Sequence, residues 1–291
     1  MKIHLVDGTY ELFRNYYGAP PRKSPAGPEV GATIGILRSL LKLLTTEGAT
    51  HVACAFDHVI ESFRNEFFAG YKTAEGIEPD LFAQFHLAEE AVSALGITVW
   101  PMVEFEADDA LAAGAAKFRN AAGVQQVVIC SPDKDLAQSV SGKSVVLWDR
   151  RREIILEEED VVKKFGVRPE SIPDWLALVG DAADGYPGIE GWGAKSAAAV
   201  LAQFGHLEKI PLNHREWNLN VARAARLSMS LQKQRDEAFL YRRLATLRVD
   251  VPLKETLEDL RWKGARERLK SLCRDMGEEQ ILERIPRWRA M

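Results

Sequence analysis

Cysteine is scarce, with three in 291 residues (Cys54, Cys130 and Cys273) and no CxxC pair. That excludes a disulfide framework and a cysteine zinc site. Because Cys54 and Cys130 sit in apolar strand-like runs, they read as buried thiols in a reducing, bacterial-type cytoplasm. Long hydrophobic runs are missing as well. No window approaches the roughly 18 uncharged apolar residues of a membrane helix, so no membrane partner is expected. The opening MKIHLVDGTYELF meets Asp7 before the apolar stretch of a signal peptide could form. No repeat of 20–50 residues is present. What remains is ordinary: 46% hydrophobic, 27% charged, 21 Gly and 13 Pro exclude collagen, coiled coil and wholesale disorder. The length suits one large domain or two small ones.

The net charge of −4 conceals an asymmetry. Residues 1–194 carry 18 Lys and Arg against 29 Asp and Glu, whereas residues 195–291 carry 20 against 13. An acidic body joined to a basic part fits metal holding beside polyanion binding, although a solvated helical surface would look the same. Along the chain, IHLVD, HVACAFD, ITVWPM, VQQVVIC and KSVVLWD read as strands, separated by helical stretches such as ATIGILRSLLKLLTTEG and EADDALAAGAAKF. This alternation predicts an α/β fold with a doubly wound, mostly parallel sheet. Residues 61–95 read as helical, with a break near Gly76 and Pro79. Beyond about 155 the strand signal fades, so an α/β core over 1–165 and a helical module over 166–291 are expected.

Ligands of open parallel sheets bind beyond the carboxyl ends of the strands. The first strand ends at Asp7 and the second at Asp57. The third is followed by Glu106, Asp108 and Asp109, and the fourth by Asp133 and Asp135. Seven carboxylates on one edge could not all stay ionised without cations. Hard oxygen donors in that number suit Mg²⁺ or Mn²⁺. Any one cluster could equally complement a helix N-terminus, but jointly they favour metal. LVDGT also brushes the haloacid-dehalogenase pattern DxDGT, whose nucleophilic Asp would stand at position 5. Leu5 stands there, which rejects aspartyl-phosphate chemistry.

Residues 180–196, GDAADGYPGIEGWGAKS, hold a tight glycine turn opening the helix AKSAAAVLAQFG. Gly188, Gly191 and Gly193 permit close backbone approach, helix-start N–H groups can take a phosphate, and Lys195 adds a cation. Taken with LVDGTYELFRNYY, GAPPRKSPAGPEVGA, FDHVIESFRNEFFAGYK, EFEADDALA, SPDKDLAQSV and GDAADGYPGIEGWGAKSA, in that order, the chain resembles the 5′ nucleases, or flap endonucleases. These include the 5′→3′ exonuclease domain of bacterial DNA polymerase I, and here the enzyme looks free-standing.

The resemblance implies a PIN-like nuclease core with a helical arch at about 60–90 and a helix–hairpin–helix at about 180–204. It implies two divalent ions, Mg²⁺ or Mn²⁺, hydrolysing DNA phosphodiesters at 5′ flaps, nicks or 5′-ended duplex. Asp7, Asp57, Glu106 and Asp108 match ligands of the first ion and Asp133, Asp135, Asp181 and Asp184 those of the second, with Asp109 a further acid. Arg14, Arg64 and Lys72 match basic residues near the scissile phosphate. Gly188, Gly191, Trp192, Gly193 and Lys195 match the duplex-binding hairpin, where K⁺ is held by carbonyls of 188–193. A monomer is expected. Three departures stand out: Glu75 replaces a common Arg, leaving the arch acidic and a poor funnel for a phosphate chain, Gly185 replaces a common Asn, and the usual GIG of the hairpin is Gly191-Trp192-Gly193. A PIN-type ribonuclease is disfavoured by the glycine hairpin and the pair Asp181 and Asp184. A non-catalytic structure-specific DNA-binding protein is disfavoured by the complete acid set. Trp262 and Trp288, in the basic helical tail 250–291, are given no function.

Overall fold

A computed structural model describes residues 1–289. The chain folds into two compact units, one of residues 1–60, 74–131 and 249 onward, the other of 61–73 and 132–248.

In the first unit, strands β1 (Lys2–Asp7), β2 (His51–Asp57), β3 (Thr98–Met102) and β4 (Gln126–Cys130) lie parallel in the order β3-β2-β1-β4. Helices α1 (Gly8–Gly18), α2 (Gly31–Thr45), α3 (Pro79–Phe82), α4 (Phe85–Ala94) and α5 (Ala107–Phe118) connect them. Every residue of β2 is buried, as befits an inner strand covered on both faces. β3 is half-exposed and carries Pro101, which an inner strand would reject and an edge strand tolerates. In α2 the leucines at 37, 40, 41, 43 and 44 form the buried stripe. Truncating one of them to Ala would cost about 2–5 kcal/mol. Gly8 is required by contact: a Cβ there would sit 2.6 Å from the Phe56 ring and 2.8 Å from the Ala55 carbonyl. The Asp-Gly pair therefore lets α1 start directly against β2.

The basic tail belongs to this unit. Val52 N–H donates to Leu260 O (2.8 Å) and Trp262 N–H to Thr50 O (2.8 Å), capping the amino end of β2. The Trp262 indole donates to Leu95 O (2.8 Å) and the Trp100 indole to Glu255 (3.1 Å). Farther along, buried Glu278 receives Arg22 and Arg38.

The second unit is mostly helical: α6 (Glu158–Phe165), α7 (Ile172–Val179), α8 (Ala194–Phe204), α9 (Ala224–Lys233) and α10 (Arg235–Ala245). It also holds an antiparallel pair, Val145–Asp149 with Ile154–Leu156. The expected α/β class with a mostly parallel sheet and a helix–hairpin–helix is met. The packing divides the chain differently from the expected 1–165 and 166–291, because the tail hydrogen-bonds to β2 and 132–165 packs with the helices. The helical expectation for 61–95 needs correcting. A 3₁₀ turn, Phe63–Glu66, is followed by irregular chain to Pro79, helix being confined to Pro79–Phe82 and Phe85–Ala94. Gly70, Gly76 (φ 87°) and Pro79 interrupt the pattern there.

Candidate functional site

The acids fall into two groups, one in each unit. In the first unit they end strands and start helices. Asp7, 6% exposed, is the N-cap of α1: one oxygen accepts from Tyr10 N–H (2.8 Å) and the other from the Ser131 hydroxyl (2.8 Å). Asp57 accepts from Ala107 N–H (2.7 Å), fixing the start of α5 to the end of β2. Glu106 and Asp109 form a reciprocal capping box there, with Asp109 fully buried and accepting from Glu106 N–H (3.0 Å). Asp108 is half-buried in the same first turn. These five carboxylates share the carboxyl edge of the parallel strands, and Asp7, Asp57 and Asp109 each hold a backbone N–H.

In the second unit the arrangement is tighter. Asp135, Asp181 and Asp184 each present an oxygen within 4.8 Å of the others. Asp135 opens a 3₁₀ turn and its N–H donates to Asp133 (2.8 Å), an exposed acid of the same loop. Asp135 Oδ1 is buried and has no hydrogen-bond partner. Burial, then the Asp133 and Asp184 carboxylates, push the Asp135 carboxyl well above the usual carboxylate range, with Asp181 adding to the shift and Lys134 opposing it. Asp181 and Tyr186 exchange backbone hydrogen bonds (2.9 and 3.0 Å), closing the loop that carries Asp184. Gly185 in that loop has φ 86°, and a Cβ would lie 2.1 Å from Gly70 O. An Asn here would collide with that carbonyl, so the departure at this position is a packing requirement of this chain.

Three members of this cluster escaped the sequence reading. Lys134 donates to Asp181 and lies 3.9 Å from Asp135 Oδ1, so its ammonium stands where a cation is wanted. Burial lowers its pKa, yet the Asp181 hydrogen bond and the charges of Asp135, Asp181 and Asp133 leave it raised overall. Tyr186 is buried with its hydroxyl unpartnered, and its pKa rises through burial and then the Asp135, Asp184 and Asp181 charges. The Tyr71 hydroxyl donates to Asp184 (3.3 Å). For Lys134 a signal existed: it is the one cation inside SPDKD.

The basic residues separate. Lys72 lies 3.9 Å from Asp184. Arg64, 1% exposed, donates to Leu244 O (2.7 Å) and Thr246 O (3.2 Å) at the C-terminus of α10, where a cation complements the helix dipole, and its charge also acts on Tyr186 beside the acids. Arg14 pairs with Glu11 and donates to the Ser39 hydroxyl (3.2 Å). At the hairpin, Gly191 and Lys195 are exposed and Gly188 is buried. Gly193 has nothing within 4 Å of a would-be Cβ, leaving the start of α8 open to approach. Trp192 is an anchor instead: 7% exposed, it donates from its indole to Leu227 O (3.1 Å) and packs on Trp217.

A family described as 5′-3′ exonuclease, N-terminal resolvase-like domain, matches residues 2–166, and 5′-3′ exonuclease, C-terminal SAM fold, matches 167–268. A 5′-3′ exonuclease of Aquifex aeolicus is 34% identical over 262 residues, covering 90% of this chain and 86% of that protein. DNA polymerase I of Bacillus subtilis is 31% identical over 289 residues, covering 98% of this chain but only 32% of the polymerase. Among solved structures, zinc-bound T5 5′-exonuclease superposes with a TM-score of 0.65 at 19% identity, covering 84% of this chain and 89% of that one. The catalytic core of Rad2 with DNA substrate gives 0.59 at 16% identity, covering 98% and 92%. Those two share the fold. With both domain families matched in order over residues 2–268 and a relative of similar length more than 30% identical, the chain belongs to the 5′-3′ exonuclease family.

Proposed function

We propose that this protein is a divalent-metal-dependent 5′ nuclease that hydrolyses DNA phosphodiesters at 5′ flaps and 5′ ends as a monomer. The observation that carries the reading is the Asp135, Asp181 and Asp184 cluster, with a buried Asp135 oxygen that has no hydrogen bond. An all-carboxylate donor set fits Mg²⁺ or Mn²⁺, and the Lys134 ammonium beside it marks the demand for positive charge. Asp133, Asp135, Asp181 and Asp184 would hold one ion, and Asp7, Asp57, Glu106 and Asp108 another, with Asp109 fixing Glu106 through the capping box. Bound ions supply charge stabilisation for an attacking water and a departing 3′-oxygen in an in-line displacement.

The chain's own residues do the rest. Lys72, beside Asp184, would place its charge near a phosphate oxygen of the substrate. Arg64 acts as a positioning residue, tying the 63–66 turn to α10. The exposed turn at Gly191 and Gly193, with Lys195, grips duplex backbone without reading bases, and Trp192 anchors it from below. K⁺ would belong to the same turn, which Trp192 N–H closes onto Ile189 O (3.1 Å). Residues 1–165 would supply most of the metal-binding acids, with Asp181 and Asp184 added from 166–291, whose turn at 188–195 would supply the duplex grip.

The test is cleavage of a 5′-flap DNA by the purified protein, with RNA and blunt-duplex controls. The expected outcome is Mg²⁺-dependent cutting of the flap DNA, abolished by EDTA, with RNA spared. Equal cutting of RNA, or no cutting with either Mg²⁺ or Mn²⁺, would overturn the proposal.

A further inference from the structure

Outside the acid groups, one further set of side chains is arranged as metal ligands. His58 directly follows β2, and His86 and Glu89 lie one turn apart on α4. His58 Nδ1 stands 2.8 Å from Glu89 Oε2 and 3.1 Å from Oε1, and His86 Nδ1 stands 3.9 Å from Oε2. The imidazole rings are 4.5 Å apart between centroids, and one donor atom from each of the three residues lies within 4.8 Å of the other two. Among the described residues this is the only such group containing nitrogen donors.

We propose that His58, His86 and Glu89 form a separate site for a borderline transition metal, zinc being the expected ion. Ligands about 2.0–2.2 Å from a tetrahedral zinc lie roughly 3.2–3.5 Å from one another. The observed separations of 2.8 and 3.9 Å bracket that range, so small rotations of His58 and His86 bring all three donors onto one ion. Two imidazoles and a carboxylate suit zinc, nickel or copper, and a magnesium ion poorly. The burial is graded for entry: Glu89 is 12% exposed, His58 34% and His86 72%. Zinc would meet a fixed carboxylate, and His86 would close over it from the solvent side. Three protein ligands leave the fourth position to water or to a group of a bound ligand.

The site differs in chemistry from the acid groups. His58 and His86 also bracket the chain segment 60–85, most of the stretch that the resemblance assigns to the arch. A metal joining them would fasten both flanks of that segment and stiffen it.

The test is equilibrium dialysis of zinc against the full-length protein, stripped of metal and then held in millimolar Mg²⁺ to occupy the carboxylate groups. The parent and Asp135→Asn are expected to bind one zinc per chain with the same affinity. His86→Ala, whose side chain is mostly exposed, should fold normally and bind at least tenfold more weakly. Cobalt in place of zinc should give visible absorption typical of tetrahedral nitrogen and oxygen ligation in the parent, and none in His86→Ala. Zinc should also raise the melting temperature of the parent and leave that of His86→Ala unmoved. Failure of the parent to bind zinc above the Mg²⁺ background would overturn the proposal. So would zinc binding that survives in His86→Ala, or that disappears in Asp135→Asn.

Discussion

The two acid groups are built on opposite principles. In the first unit Asp7, Asp57 and Asp109 are held by backbone N–H groups, so their carboxylates also serve as helix caps and inter-element pins. In the second unit Asp135, Asp181 and Asp184 crowd together with one buried oxygen lacking a hydrogen bond, and a lysine supplies the opposing charge. A carboxylate that caps a helix stabilises the fold whether or not metal is bound. A cluster of like charges weakens the fold until a cation arrives. The same side chain thus has two thermodynamic roles, and substitution should separate them.

The largest effect is expected at Asp135. Asp135→Asn keeps the shape and removes a charge that burial and the neighbouring carboxylates already disfavour. Single-turnover cleavage of a flap should fall by ~10²-fold or more, with a melting temperature unchanged or higher. A folded variant cutting within about tenfold of the parent would remove Asp135 from the metal set. Asp7 should behave differently. Asp7→Asn and Asp7→Ala should both lower turnover by at least ~10-fold, but only the alanine should also lose about 1 kcal/mol of stability, since Asn remains a good N-cap. If the two variants melt together, the Tyr10 N–H contact is not what secures Asp7. A smaller change is expected from Lys134→Met. Without its ammonium the second group should lose about 1 kcal/mol in EDTA, the pair being partly exposed and screened. Added Mg²⁺ should recover that loss. A melting temperature that ignores both the substitution and the metal would show that Lys134 contributes no charge there.

The strand-end acids were legible because apolar runs stop abruptly at Asp7 and Asp57, and a parallel sheet has only one ligand edge. Asp181 and Asp184 were reachable only through the resemblance, since nothing local in GDAADG announces a metal ligand. Long-range pairing hid the rest. Arg64 looks like a free cation until Leu244 and Thr246, some 180 residues away, supply its carbonyl partners. The three-residue strand Ile154–Leu156 is too short for its alternation to register. Trp192 reads as part of an exposed glycine turn, and only the return of α9 at Leu227 makes it a core residue.

The return of the tail to β2 has a consequence for biogenesis. The amino end of β2 is closed by Leu260 and Trp262, so the first unit, begun at residue 1, stays unfinished while all of 132–248 is synthesised. At elongation rates of roughly 5–20 residues per second that delay is on the order of ten seconds. During it Val52 N–H and the Trp100 indole lack their final partners. Ribosome-bound chains stalled just before Val249 should therefore be cut by protease within residues 1–131, whereas the released protein should resist.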